Sequence, residues 1–529
     1  MTTLAALLAA ALAQAATAPA APAAGSSPKG STQAAAKGAA PAAPPARPGA
    51  ARGAACRPAA TVLDVKRPPG AEWFGLYLMG RKAGWLRSEL STGTRDGRPV
   101  LVARQETVIE AKVGPRTVRR TQTDERVYEA KPRGALLSFR SARAGDGGDR
   151  SVEVTCGPDA CRAVLDAEDG RQARDLPRVA ETAEQADAAR VAAARCGEVA
   201  GVQLDPEGLR ARRMRDRFVE RAVLGGAGVT VRVSVVEESE EGDRIAARVY
   251  VADDGRMVEF RFGDALVAKA EPEEIARRVD LVDLFNLSRV ALPNALPRSV
   301  PMEIAYTLKG LPPAFRVSDA RQRTTPSGDA TVITVTARRP AADDPARDVP
   351  RRRPDAAGGE DLAATPEVDW EHPDVRGLAE RIVGATPGTW AASRKLVKGV
   401  HDRLEKVYGQ SRDRASEVLR AAKGDCTEHA LLFLALARAS GIPTRGVHGL
   451  VYANYGDAGP GLYWHAWAEV RVGDEWIPVD PTFDQEVADA THIALGRGTR
   501  VDAVGLLGAL SVVKAEPRVP RPDAALRGD

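Results

Sequence analysis

The sequence contains 529 residues, of which 44% are hydrophobic and 28% are charged, and its formal net charge is +4. This length and composition predict more than one globular domain. The small net charge gives no support for nucleic acid or another polyanion as a partner, and no RNA- or DNA-binding motif stands out.

The N-terminal segment has the composition of an export signal. Residues 4–16 are mostly apolar, and the small residues at 13–18 resemble a signal cleavage site. We therefore predict a signal peptide over residues 1–18 and an exported, periplasmic or extracellular protein, although the first three residues carry no Lys or Arg. A disordered Ala-rich leader is the alternative. No segment approaches the roughly 18 consecutive apolar residues of a transmembrane helix, so no membrane span is expected.

Three segments have compositions that do not favour a packed core. Residues 19–60 are mainly Ala, Pro, Gly and Ser, which predicts a disordered tether. Residues 338–365 combine several prolines with mixed charges, which predicts a linker, and Arg351–Arg353 within it is expected to be exposed. Residues 516–529 are expected to form a C-terminal tail.

Residues 61–337 are predicted to form a mainly antiparallel β region with a structural or recognition role. A smaller β unit over 280–337 is the alternative to one continuous region. The candidate strands lie at 73–78, 83–90, 100–113, 116–128, 136–140, 152–156, 229–236, 245–251 and 257–262. Their charged alternate positions indicate a sheet with one solvated face. One Ala- and Glu-rich helix is expected at Val179–Arg195, and no ligand of this region can be named.

The cysteines outside the C-terminal region suggest a disulfide. Cys156 and Cys161 flank a predicted hairpin tip, and in an exported protein they are the best candidate pair. Cys56 and Cys196 then pair with each other or stay free. These four cysteines allow three full pairings, among which the sequence does not choose.

Cys426 carries the strongest chemical signal in the chain. Residues 430–439 are almost entirely apolar, as expected of a helix buried on all sides, and Gly and Pro follow its end. Asp425 and Glu428 form a capping-box pattern at its start. Cys426 therefore lies at the first helical position, where the helix dipole favours a thiolate and free N–H groups can hold an oxyanion. The alternative is an inert buried cysteine.

His465 and Asp480 follow in the order expected of a base and its orienting group. Residues alternate along the strand of His465, and a two-residue hairpin turn follows it. That turn pairs Val472 with Glu475 and places Asp480 diagonally opposite His465, within hydrogen-bonding reach. As alternatives, His465 is a structural polar residue between two tryptophans, and Asp480 forms an Asx turn before the next proline.

Nearby residues are weaker candidates. Tyr408 is a candidate oxyanion-hole side chain, although a helix-end aromatic fits as well. Trp464 and Trp467 line an acyl-binding cleft or belong to the core beside the site. His429 shares a helix face with the cysteine, but local hydrogen bonding is its simpler interpretation. The His and Cys residues show no HExxH and no paired CxxC motif, so no metal and no cofactor are expected.

Residues from about 370 to 495 resemble the transglutaminase-like superfamily of papain-like cysteine enzymes. The matching motifs occur together and in order: Gly424–Cys426, Arg438–Arg445, Gly449, His465–Val470 and Trp476–Thr482. The resemblance implies an α+β fold, with a papain-like transglutaminase core at 366–515 following the N-terminal β region. It also implies that Cys426 is the nucleophile, His465 the base and Asp480 the orienting group.

This resemblance implies a reaction class as well. The thiolate attacks an amide carbonyl, and the acyl-enzyme is released to an amine or to water. The expected partner is a protein or peptide substrate with a carboxamide or amide bond. Because the superfamily also contains peptidases, amidases and inactive members, two alternatives remain: a peptidase or amidase, and a non-catalytic interaction protein that retains the fold.

Overall fold

The computed structural model describes residues 61–518 apart from short gaps. The gaps are residues 68, 114–115, 147, 168–169, 196, 206–208, 227–228, 298–301, 355–358, 409–411, 456–458 and 499–504. Strands make up 51% of the structure and helices 19%. The expected α+β class therefore fits only loosely, because strands dominate the chain outside one group of helices.

Several expectations fall on residues that the structure does not describe. They are the signal peptide at 1–18, the tether at 19–60, most of the C-terminal tail, Cys56 and Cys196. Within residues 61–518, as far as they are described, no helix is both long and apolar enough to cross a membrane.

Most of residues 72–270 form one large antiparallel sheet, as predicted. Its strands are β1 Glu72–Leu78, β2 Arg81–Arg95, β3 Arg98–Val113, β4 Arg116–Glu129, β5 Leu136–Gly145, β6 Arg150–Cys156, β7 Ala160–Ala167, β8 Gly170–Pro177, β9 Glu198–Leu204, β10 Ala211–Gly226, β11 Val229–Glu240, β12 Ala247–Ala252, β13 Met257–Phe262 and β14 Leu266–Ala270. They lie in the order β8-β7-β6-β5-β4-β3-β2-β1-β14-β13-β12-β11-β10-β9. Hairpins therefore build each half of the sheet, and β1 and β14 join the halves in the middle.

The two faces of this sheet differ as the alternating pattern predicts. On one face, exposed ion pairs join neighbouring strands: Arg104 pairs with Glu125 at 2.7 Å, and Arg140 pairs with Glu153 at 2.9 Å. The opposite face of the same strands supplies the side chains of a buried apolar cluster, among them Leu101, Tyr128, Leu136 and Phe139. Apolar burial on one face fixes the register, because a slip by one residue would exchange the faces.

The segment between β8 and β9 corrects one prediction. It contains a 3-10 turn at Ala183–Ala186 and a short α-helix at Ala189–Ala194, so the expected helix over Val179–Arg195 is too long. Thr182 instead forms an isolated bridge with Ala135, which keeps the start of this segment extended. Helix propensity is a weak preference that such tertiary pairing overrides.

Cys156 and Cys161 form a disulfide at the end of the hairpin between β6 and β7. They are directly opposite each other in the strand register. Among the cysteines that the structure describes, Cys426 is the free one, and it is buried.

A second, four-stranded sheet contains the smaller β unit expected at 280–337, with different bounds. Its strands are Gln322–Ser327, Ala330–Thr336, Glu303–Lys309 and Ser511–Arg518, in that order across the sheet. The last strand thus extends three residues into the expected C-terminal tail. The start of the expected unit belongs elsewhere, because Val282–Asp283 pairs with β3 and Val290–Ala291 joins a third sheet.

In the C-terminal region four helices pack together, and the second and fourth of them contact this third sheet. The helices are Pro373–Val383, Thr389–Arg403, Ala415–Ala421 and Cys426–Ala439, and the strands are Val290–Ala291, Thr444–Tyr455, Gly459–Val472, Glu475–Val479 and His492–Arg497. Glu405–Lys406 and Lys423–Gly424 form a short parallel pair before the last helix. That helix is the most buried, with Leu432, Phe433 and Leu436 at 0% exposure.

The remaining helical elements are short. They are the α-helices Glu273–Ala276 and Leu284–Ser288 and the 3-10 helices Val62–Asp64, Pro313–Phe315, Ala341–Asp343 and Pro345–Arg347.

The described part of the predicted linker at 338–365 packs against the four C-terminal helices and the loops between them, and is not a separate linker. The Arg351 N–H donates to the Pro387 carbonyl at 3.0 Å, and its guanidinium donates to the Ser440 carbonyl at 3.1 Å. The Arg352 N–H donates to the Gly441 carbonyl at 3.1 Å. The side chains of Asp343 and Asp348 add hydrogen bonds to Trp390. Composition alone did not reveal this docking, because it does not show which distant segments these groups meet. The domain boundary near residue 366 stays a proposal.

Candidate active site

Cys426 begins the central helix, as the sequence predicts. The Asp425 carboxylate accepts the Thr427 N–H at 3.0 Å, and the Glu428 carboxylate accepts the Asp425 N–H at 2.9 Å, so the predicted capping box is present. The thiol is buried, and the Ala466 N–H donates to its Sγ at 3.2 Å. The helix start therefore lies directly against the strand that carries the histidine.

The predicted hairpin brings His465 and Asp480 together. Val472 pairs with Glu475, and the pairing continues to Val479, after which Asp480 ends the strand. Asp480 Oδ2 lies 2.7 Å from His465 Nε2. The two side chains are 0% and 2% exposed, so water does not screen their interaction.

Burial and charge compete at this pair. Burial lowers the pKa of His465, and the negative charge and hydrogen bond of Asp480 only partly oppose that shift. Burial would raise the pKa of Asp480, but the charge of His465 and the hydrogen bonds from His465 and His492 hold it well below its usual range. Asp480 is thus an ionised acceptor and His465 a weakly basic imidazole, which suits a group that must both take and return a proton.

Three residues beside this pair were not expected from the sequence. His492 Nε2 lies 3.0 Å from Asp480 Oδ2. The Phe483 ring stacks on His465 with 4.9 Å between centroids. Lys406 Nζ lies 5.1 Å from the centroid of that Phe483 ring. Its pKa is lowered by burial, against the opposing charges of Asp480 and Cys426.

The two tryptophans form the core beside the site. Trp467 is 1% exposed and Trp464 is 6% exposed. The Trp467 ring stacks against His465 at 5.9 Å and meets His492 edge-on at 5.3 Å. Their burial agrees with the core interpretation offered by the sequence, and a role in lining an acyl-binding cleft stays a prediction. The alternation of residues along the strand could not distinguish a core position from a cleft position, because the structure covers both faces of this strand.

Tyr408 and His429 lie near the helix start. Burial raises the pKa of Tyr408, and the negative charges of Asp425 and Cys426 raise it further, so its hydroxyl stays protonated close to the thiol. A role in an oxyanion hole stays a proposal. His429 Nδ1 lies 2.6 Å from the Asp425 carbonyl, and burial lowers its pKa to about 4. This matches the local hydrogen bonding that the sequence suggested.

His465, Asp480 and His492 also have the composition of a metal site. Their ligand atoms lie within 4.8 Å of one another. However, the Asp480 oxygen that a cation would need already accepts hydrogen bonds from both histidines. A cation would have to displace both of them, so the arrangement fits a hydrogen-bonded network better than a metal site.

The C-terminal region matches a known family. Residues 376–481 match the model of the transglutaminase-like superfamily. No curated protein matches the chain significantly.

Solved structures similar to this chain include three bacterial proteins. One is a candidate cysteine protease from Cytophaga hutchinsonii, 15% identical, with 41% of this chain and 83% of that chain covered and a TM-score of 0.26. A beta-barrel-like protein of domain of unknown function DUF1849 from Brucella abortus is 10% identical, with 39% and 97% covered and a TM-score of 0.30. A candidate protease from Parabacteroides distasonis is 11% identical, with 69% of each chain covered and a TM-score of 0.18. It is the family match that identifies residues 376–481 as a domain of the transglutaminase-like superfamily.

Proposed function

We propose that this protein is an exported thiol enzyme that acts on amide bonds of proteins or peptides. Cys426 is the nucleophile, His465 the base and Asp480 its orienting group. The observation that supports this most strongly is the 2.7 Å contact between His465 and Asp480, with the Cys426 thiol held at the N–H of the next residue, Ala466. A nucleophile at a helix start beside an oriented histidine is the arrangement that thiol catalysis requires.

The hydrogen bond between His465 and Asp480 determines which nitrogen of His465 takes part in the proposed reaction. Asp480 engages His465 Nε2, so Nδ1 is the nitrogen left for the thiol. Nδ1 takes the thiol proton, and the Cys426 sulfur attacks the amide carbonyl carbon. N–H groups at the helix start stabilise the oxyanion, as the helix dipole favours negative charge there. The C–N bond then breaks, and the His465 proton passes to the leaving nitrogen.

The second half of the reaction releases the acyl group. An amine or a water molecule attacks the thioester carbonyl and gives a proton to His465. The C–S bond breaks, and the proton on His465 and the Cys426 thiolate restore the starting state. Asp480 keeps its negative charge throughout and stabilises the imidazolium. Acyl transfer and hydrolysis use the same three residues and differ only in the acceptor.

The export part of the proposal has one structural support. The disulfide between Cys156 and Cys161 suits an oxidising compartment outside the cytoplasm. The N-terminal composition agrees with it.

Two other functions remain as alternatives. A cysteine peptidase or amidase would use the same residues and differ in its acceptor and substrate. A non-catalytic interaction protein is disfavoured, because binding alone requires neither an oriented histidine nor a thiol at the helix start.

The proposal is tested by thiol reactivity and then by turnover. A small reagent such as iodoacetamide suits the buried Cys426, which should react faster at neutral pH than an ordinary thiol of pKa about 8.5. Peptides with carboxamide side chains, with and without an added amine, are then screened by mass spectrometry. A Cys426 that stays unlabelled while the folded protein is intact counts against the nucleophile.

Variants assign the roles once a substrate is found. Cys426→Ala and His465→Ala should abolish turnover, whereas Asp480→Asn should retain a residual rate about 10⁴-fold below wild type, as in other triads. The matched control is His372→Ala, at a helix start outside the site, and it should retain wild-type activity. Thermal melts check that each variant folds. Wild-type activity in a folded Cys426→Ala protein overturns the assignment.

A further inference from the structure

His492 is a buried histidine that the proposed reaction does not use. Its Nε2 lies 3.0 Å from Asp480 Oδ2, and its Nδ1 lies 3.2 Å from Asp489 Oδ1. The residue is 1% exposed. An imidazole with a carboxylate oxygen at each nitrogen satisfies both only as the doubly protonated cation, which donates from each side.

His492 and its neighbours hold both oxygens of Asp480. Oδ2 faces His465 at 2.7 Å and His492 at 3.0 Å. Oδ1 accepts the Thr482 N–H at 2.7 Å and the Phe483 N–H at 3.3 Å. The carboxylate cannot rotate away from His465 without breaking a buried hydrogen bond, which is costly where water cannot replace it.

His492 is itself held in place by a further layer of contacts. Asp489 Oδ1 accepts the Thr491 N–H at 2.8 Å, and Asp489 Oδ2 accepts from the Gln485 side chain at 2.8 Å. The Trp467 ring meets the His492 ring edge-on at 5.3 Å. The position of the imidazole is therefore determined by polar contacts at both nitrogens and by packing against the Trp467 ring.

The charges around His492 favour its protonated form. Burial lowers the pKa of His492, but the hydrogen bonds and negative charges of Asp480 and Asp489 outweigh burial and raise it. Other titratable groups around this network include His465, Lys406, Tyr306 and Arg321. Arg321 donates to the Asp489 carbonyl and Tyr306 to the Ala490 carbonyl.

We propose that His492 is a positioning residue of this site: it donates a hydrogen bond to Asp480 Oδ2 and holds that carboxylate against His465. The inference rests on the proposed function, because positioning matters only if Cys426 and His465 are the reactive pair. The charge of His492 has a second effect, since it lowers the pKa of His465. A base of lower pKa releases its proton more readily to the leaving nitrogen.

The test is the pH dependence of Cys426 alkylation by iodoacetamide, measured on the full chain. His492→Phe removes the hydrogen bond, and alkylation at pH 7 should slow about tenfold or more, the scale typical of losing a group that orients a functional histidine. His492→Gln keeps a donor but removes the charge. Its rate should stay near wild type, while the apparent pKa assigned to His465 rises. His448→Gln is the control, because His448 contacts the Gly498 carbonyl instead.

The outcomes separate this inference from the proposed function. A wild-type Cys426 that reacts no faster than an ordinary thiol refutes the proposed function itself. A reactive wild type with the same rate and pH profile in both His492 variants overturns the positioning role alone. If His492→Phe does not fold, His492→Gln decides, because a merely structural residue lowers the melting temperature without moving the pH profile.

Discussion

Replacing Asp413 with alanine removes a carboxylate that joins the large sheet to the helices of the candidate active site. Asp413 accepts from the guanidinium groups of Arg143, on β5, and Arg150, on β6, the latter at 3.1 Å. The side chains of Asp413, Arg143 and Arg150 are only 17%, 8% and 9% exposed. The preceding residue, Arg412, donates its N–H to Glu428 of the capping box at 3.2 Å, so Asp413 is adjacent in the chain to a residue that contacts the cap of the helix Cys426–Ala439.

The expected loss of stability is large. Removing one partner of a buried ion pair leaves the other charge without compensation, which costs about 3–5 kcal/mol. The control is Asp175→Ala, whose partner Arg162 lies 3.0 Å away on the same sheet, with side chains 63% and 76% exposed. An exposed pair of this kind contributes below about 1 kcal/mol. Urea unfolding of the full chain, followed by tryptophan fluorescence, gives both values.

The same carboxylate predicts a pH dependence. Burial would raise the pKa of Asp413, but Arg143 and Arg150 outweigh burial and hold it well below its usual range. Its stabilisation is therefore complete above the unfolded-state pKa of about 3.9 and is lost as pH falls towards the lower folded-state value. The difference between wild type and Asp413→Ala should shrink between pH 7 and pH 3. Equal losses in Asp413→Ala and Asp175→Ala, or a difference that does not change with pH, would refute the reasoning.

Two further predictions concern the site and its support. In Gly449→Ala the added Cβ would lie 1.9 Å from the Ile493 carbonyl oxygen, so the free energy of unfolding should fall by about 1–3 kcal/mol. Gly93→Ala, where the nearest atom is 3.7 Å away, is the control, and equal urea midpoints for both variants would contradict the argument. In Lys406→Met the pKa of His465 should rise, because the Lys406 charge lowers it. An NMR titration of labelled histidines measures this, and an unchanged or lower value would show that the charge does not reach His465.

Most of what could be predicted about the site from the sequence came from the spacing of residues that are close together in the chain. The capping box of Asp425 and Glu428 lies within one helical turn, so its pattern predicted where the Cys426 helix begins. The register of Val472 with Glu475 followed from a two-residue turn. Both signals involve neighbours in the chain, where backbone geometry alone fixes which residues meet.

The residues that were missed depend on contacts between distant segments. His492 follows Asp480 by 12 positions across an irregular loop, and neither periodicity nor a turn pattern relates them. Lys406 reaches the site because its short strand pairs with Gly424 just before the helix Cys426–Ala439. The packing of residues 338–353 on the helices was not predicted for a similar reason. A content of prolines and charges indicates local stiffness and solubility, but it does not indicate which distant segment the backbone contacts.

The C-terminal strand Ser511–Arg518 has a consequence for the order in which the chain assembles. It pairs with Glu303–Lys309, about 200 residues earlier, and converts that strand from an edge strand into an inner strand of the four-stranded sheet. In that sheet Gln322 makes two hydrogen bonds to the backbone of Ala494, in the strand that begins with His492. During synthesis Glu303–Lys309 remains an edge strand until residue 518 has emerged, and unpaired edge strands are prone to aggregation. The sheet that supports the strand of His492 thus gains its fourth strand only after the helix that carries the Cys426 thiol has been synthesised.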